Sequence, residues 1–208
     1  MTGAHHGDEH FVHRLEAFSD IVIGFTLAQI GATLVLPGHA GELVSNPWWL
    51  FTFIWTFAIV CLMWWLHNRV FRTVFAPTPG SVVANFGLLA AIVLLVYLAE
   101  VMAHSTTLAD EVVAQRMYDV ALSIACALIA LLTWTGVRYH AATLEPLFAN
   151  RAARTATVNA GAAVTLLLAV AATFVPALFE WSPAILGLGI PFGFFCGRTV
   201  ASQLVGPR

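Results

Sequence analysis

Lysine is absent, so every one of the nine basic residues is arginine. Charge of either sign is scarce. Charged residues make up 10% of the chain, against about 25% in a soluble domain, too few to build a water-facing shell. With a formal net charge of −2, the chain lacks the strong basic balance of a phosphate-binding surface, and nucleic acid is not an expected partner. Cysteine is limited to Cys61, Cys126 and Cys196. Each lies inside an apolar run, at spacings that match no zinc or redox motif, and reads as a buried packing thiol. No stretch rich in Pro, Ser or charge divides the chain, which reads as one domain over residues 1–208. The opening MTGAHHGDEHFV has neither the basic n-region nor the short apolar h-region of a cleavable signal, so the first helix is expected to remain as an anchor.

What the sequence does contain is apolar length. Hydrophobic residues make up 60% of it, in long runs with little amphipathic patterning, which makes lipid the fitting solvent. A span needs about 20 residues to cross roughly 30 Å of hydrocarbon. Six stretches have that length: Leu15 to Leu36, Trp48 to Phe71, Val82 to Ala103, Met117 to Tyr139, Thr155 to Leu178 and Pro183 to Val205. Pro37-Gly38, Asn46-Pro47 and the PTPG turn mark breaks. The short turn around Glu180, Trp181 and Ser182 makes the last two helices antiparallel neighbours. The expected fold is all-α, a polytopic bundle of six transmembrane helices, with residues 1–13 a mobile N-terminal tail. Seven arginines (Arg14, Arg69, Arg72, Arg138, Arg151, Arg154 and Arg208) fall on the side of both termini, and Arg116 falls alone on the other. By the positive-inside rule both termini are cytoplasmic. Glu42, Asp110, Glu111 and Glu180 make the opposite face acidic.

The densest polar cluster is RLEAFSD, where Arg14, Ser19 and Asp20 open the first helix as it enters the membrane. Charges there are costly unless paired. Glu16 and Asp20 share one helix face, Arg14 and Phe18 another, so Asp20 needs a partner from a different helix. Candidates are His67, Asn85 and the Arg14 of a neighbouring copy. An ordinary interfacial helix start, with Arg14 snorkelling and Ser19 bonded to its own carbonyls, fits the same spacing.

The pattern R-x-x-x-F-S-D at the start of the first helix, W-x-x-H from Trp64 to His67 and Asn85 opening the third helix resemble the transmembrane protein 175 family, the lysosomal potassium channels and their bacterial relatives. The resemblance covers the first three helices; the last three agree by hydropathy alone. It implies the one-repeat bacterial form: a homotetramer, multi-pass in the bacterial inner membrane, with the bilayer as its surroundings. In that family the first helix lines the pore, with bulky aliphatic residues five, nine and twelve positions after the motif aspartate. Those positions are Phe25, Gln29 and Ala32, and the same face extends back to Val22 and forward to Leu36. The side-chain chemistry departs from the family pattern. A Phe25 ring would close a narrow pore by excluding water, Gln29 would present amide dipoles, and Ala32 would leave its layer wide. An interhelical hydrogen bond serves Gln29 equally well. With no TVGYG-like filter, selectivity would come from side-chain rings and be modest. Arg14, Phe18, Ser19, Asp20, Trp64, His67 and Asn85 would form a polar brace behind the pore helix.

Other residues point less sharply. His5, His6, His10 and His13 cluster before the first helix and read as part of the tail. His67 and His140 stand at helix ends, a placement compatible with haem, but two residues do not make a haem site. With no H-E-x-x-H, and with the one H-x-x-x-H (His6 to His10) outside the spans, no metal site and no metal enzyme are expected. Glu100, near the outer end of the third helix, is the second candidate carboxylate, at a pore mouth or simply at the interface. Gly187, Gly189, Gly193 and Gly197 with Pro191 give the last helix a small-residue packing face. Arg198 snorkels or pairs with Glu145 or Asp20. The expected function is passive cation conduction, potassium-permeable, without a cofactor beyond the permeant ion and without enzymatic activity. The alternatives are a proton or weakly selective pathway in the same fold, a non-conducting membrane scaffold, or a haem-bearing redox protein.

Overall fold

A computed structural model describes residues 3–33, 41 and 48–204, with side chains over 10–32 and 50–199. Among the described residues the fold is all helical, without strands. Six long helices follow one another among the described residues: α1 (Gly3–Thr33), α2 (Trp48–Thr73), α3 (Pro79–Ala103), α4 (Leu108–Tyr139), α5 (Pro146–Ala172) and α6 (Ser182–Leu204). Each contains a segment long and apolar enough to cross a membrane, so the chain is a multi-pass membrane protein in contact with lipid.

The helix ends follow local chemistry, and this is where the expected spans needed correcting. Thr78 caps α3, its Oγ1 accepting from Ser81 N–H at 3.2 Å, with Pro79 supplying a first position that needs no amide hydrogen. α4 begins at Leu108 rather than Met117, because Thr107 accepts from Asp110 N–H at 3.1 Å and donates its hydroxyl to Asp110 Oδ2 at 2.7 Å. Asp110 and Glu111 in its first turn and Arg138 in its last complement the helix dipole. α5 likewise starts at Pro146 rather than Thr155, again with proline in the first turn. It stops at Ala172, short of Leu178, and a 3-10 turn over Pro176–Trp181 carries the chain into α6. Residues 3–13, read from sequence as a mobile tail, continue α1 as helix. The expected ends of the first and last spans, Leu36 and Val205, lie outside the described residues.

Short connections hold α2, α3, α4 and α5 antiparallel in succession. α3 and α4 form the centre, with Leu88, Ile92, Leu95, Leu122, Ile129 and Leu132 all fully buried. α1 and α2 pack together and against α3, on one side; α5 and α6 pack on the other side of α4. Glycine sets two of the closest approaches. A Cβ at Gly136 of α4 would overlap the Val74 carbonyl at the end of α2, and one at Gly197 of α6 would overlap the Val158 carbonyl of α5. Gly193 and Gly189 continue the second seam against Ala162 and Ala169, whereas Gly187 meets nothing within 4 Å. The small-residue face of the last helix is therefore a packing face over three of its four glycines. The cysteines are free thiols, Cys126 buried and the other two half-buried.

Arg116, the lone arginine opposite the others, has a structural task. Its Nε donates to Thr173 Oγ1 at 2.8 Å and a terminal nitrogen to Thr173 O at 2.6 Å, while the guanidinium lies 4.1 Å from the Phe174 ring centroid. It closes the C-terminal end of α5, where a cation also favours the helix dipole.

Candidate pore helix and its polar brace

α1 has two unlike faces. Leu15, Ser19, Ile23, Thr26 and Ile30 are buried against α2 and α3. Arg14, Ile21, Phe25, Ala28 and Ala32 are exposed, flanked by Ala17, Gly24 and Gly31 on one side and by Phe18 and Gln29 on the other. Their alternating steps of four and three mark one stripe of a helix, the spacing of a helix-to-helix seam. Phe25 is 75% exposed, the most prominent bulky side chain on the stripe. Of the residues expected on a pore lining, Phe25, Gln29 and Ala32 share this face; Val22 is half-buried at its margin, packed against the core. Leu36 lies outside the described residues. Ile21 and Ala28 occupy the stripe without having been singled out in the sequence.

The opposite face is anchored by a buried relay across three helices. His67 Nε2–H donates to Asn85 Oδ1 at 2.9 Å. Asn85 Nδ2 donates to Ser19 Oγ at 3.1 Å, and the Ser19 hydroxyl donates to the Leu15 carbonyl at 2.8 Å. Because Asn85 has its amide on Ser19, its oxygen faces the imidazole, which fixes the proton on Nε2. All three side chains are fully buried, where an unmade bond costs more than a made one contributes. Behind the imidazole, Phe71 packs at 4.4 Å between ring centroids and Phe75 follows at 4.0 Å. His140 lies farther along, its Nε2 at 3.3 Å from the Phe75 carbonyl.

Asp20 does have a partner on another helix, neither His67 nor Asn85 but Trp64, whose Nε1–H donates to Asp20 Oδ1 at 2.9 Å. Phe18 meets Phe86 edge to face at 6.0 Å. Arg14 is exposed and makes no ion pair among the described residues. The brace thus joins Ser19, His67 and Asn85 in one chain of hydrogen bonds and Asp20 and Trp64 in another, leaving Arg14 apart. Glu100 lines a hollow of about 610 Å³ between α3 and α4 with Tyr97, His104 and Asp110.

A polar seam between α2 and α4 escaped the sequence reading. Asp119 is fully buried, yet among the described residues neither carboxylate oxygen has a hydrogen-bond partner, and the hydroxyls of Tyr118, Thr52 and Thr56 are in the same position. Gln115 stands beside Asp119 and Thr56 beside Tyr118, but neither pair meets hydrogen-bond geometry. The only sequence signal is an acid inside an apolar run.

The residues of the brace and of the exposed stripe, from Arg14 to Asn85, all come from the first three helices. Residues 14–95 match the family model described as endosomal/lysosomal potassium channel TMEM175. Over that span the chain is similar to the TMEM175 family. The TMEM175 region opens on Arg14 and closes within α3, so every residue of the R-x-x-x-F-S-D and W-x-x-H patterns and Asn85 falls inside it. TMEM175 names a family of channels, not of enzymes. No curated protein matches the chain.

Proposed function

We propose that the protein is a passive, potassium-permeable cation channel in which α1 of each of four subunits lines a common pore. The observation that carries this reading is the composition of the exposed α1 face. Gly24, Ala28, Gly31 and Ala32 offer lipid little apolar surface, but they allow four helices to approach an axis closely. Phe25 then forms the narrowest ring and closes the pore by excluding water; Gln29 adds an amide layer beyond it. The buried relay from Leu15 through Ser19 and Asn85 to His67, with the Asp20–Trp64 bond beside it, fixes the rotation of α1 so that Phe25 faces the axis. The arginine bias supports a topology with both termini in the cytoplasm.

Potassium flux into liposomes carrying the purified protein tests the proposal, with sodium-loaded and protein-free controls. Phe25→Ala is expected to raise flux several-fold over wild type by widening and wetting the constriction. A folded oligomer that passes no potassium in either form would make a non-conducting scaffold the better reading. Reversal potentials under opposed potassium and proton gradients separate a potassium pore from a proton pathway.

A further inference from the structure

A cleft of about 660 Å³ lies between α2 on one side and α5 and α6 on the other, at the end of the bundle where α2 and α6 finish and α5 begins. Four arginines line it, Arg69, Arg151, Arg154 and Arg198, and no carboxylate does. None of the four forms an ion pair among the described residues; Arg69 lies over the Trp65 ring at 5.6 Å. Like charges gathered without a counter-charge, beside an apolar wall, imply that an anion from outside the chain belongs there.

The cleft changes character with depth. At 1.5 Å per helical residue the arginines sit within about 12 Å of their helix ends, whereas Leu62, Val158 and Phe194 lie about 15–18 Å in. A soluble anion would use only the charged mouth. An anionic phospholipid would use both halves, its phosphate among the arginines and the start of an acyl chain along the apolar wall. We infer that this cleft is a binding site for an anionic phospholipid, held through its phosphate by the four arginines. Asn159 lines the deep part; its Nδ2 is committed to the Thr155 carbonyl at 2.9 Å, while its Oδ1 has no partner among the described residues. The site is independent of the pore reading, since α1 contributes nothing to it and α5 and α6 lie beyond the TMEM175 match.

The test uses the full chain in phosphatidylcholine nanodiscs containing a few per cent phosphatidylglycerol, with lipids retained after extraction counted by native mass spectrometry. A basic side chain at a membrane surface is worth about a fivefold preference for an anionic headgroup. Wild type is therefore expected to retain phosphatidylglycerol over phosphatidylcholine by more than tenfold, and Arg151→Gln/Arg154→Gln to fall by about twenty-five-fold. Arg138→Gln, which removes a charge from the same end outside the cleft, should leave the preference intact. Val158→Trp fills the apolar wall while keeping the arginines and should lower retention about tenfold. Equal preference in wild type and the double arginine variant would overturn the inference, as would an equal loss in Arg138→Gln. Displacement of the lipid by millimolar inorganic phosphate, with Val158→Trp unaffected, would assign the cleft to a soluble anion instead. Exclusion of lipid from the wild-type oligomer would assign it to a second copy of the chain.

Discussion

Asn85 concentrates the connections of the brace in one side chain, since it donates to Ser19 and accepts from His67. Interhelical hydrogen bonds in membranes average about 0.6 kcal/mol and reach about 1.7, so Asn85→Ala, which breaks two and strands buried partners, should cost about 1–3 kcal/mol. Ser19→Ala removes only one interhelical bond and should cost about half as much. Unfolding of the purified protein in detergent by denaturant measures both. If Ser19→Ala and Asn85→Ala add without coupling, the relay does not act as a unit. The opposite outcome is expected at Asp119, whose oxygens have no hydrogen-bond partner among the described residues. Asp119→Leu should unfold at or above the wild-type denaturant concentration, because exchanging an unpaired buried acid for an apolar side chain of similar volume removes a desolvation cost. A loss above about 2 kcal/mol would reveal a partner in the assembled protein. The sequence pointed to Ser19, His67 and Asn85 through their motif positions. It missed Trp64 as the partner of Asp20, because spacing along one helix says which residues share a face but not how neighbouring helices are rotated.

At the level of elements, the glycines of α6 show the same limit. Their spacing announced close packing, yet whether a given glycine faces α5 depends on helix rotation and on the path past Pro191. Gly197 lies against the Val158 carbonyl and Gly161, while Gly187 lies in open space. Gly197→Ala should force the α5–α6 seam apart and cost about 1–3 kcal/mol, as overpacking does. Gly187→Ala should stay within about 0.5 kcal/mol of wild type. Thermal unfolding of the two variants beside wild type checks the contrast, and equal behaviour would mean that the seam is not tight. The extended starts of α4 and α5 were less legible than the apolar runs because polar first turns weaken a hydropathy signal. Thr107 with Asp110, and Pro146, were the sequence marks that could have placed them.

For the whole molecule, the decisive question is what covers α1. The outward faces of α5 and α6 carry Val164, Leu167 and Leu168, and Leu188, Phe192 and Phe195, bulky apolar side chains suited to acyl chains. The α1 face carries Ala17, Gly24, Ala28, Gly31 and Ala32 around Ile21 and Phe25, which leaves grooves that lipid fills poorly and another helix fills well. In the proposed tetramer that face would be covered by the same helix of neighbouring copies. In a background with Cys61, Cys126 and Cys196 replaced by alanine, the proposed tetramer predicts that Ile21→Cys and Phe25→Cys each form disulfide-linked dimers under mild oxidation. Leu168→Cys on the outward face of α5 should remain monomeric on a denaturing gel. The separation required is a Cα–Cα distance of about 4.4–6.8 Å, which neighbouring helices at a narrow pore can supply and lipid-facing helices cannot. Crosslinking at Leu168 in place of Phe25 would turn the subunit around and move the pore away from α1, while leaving the buried brace as a structural clamp between the first three helices.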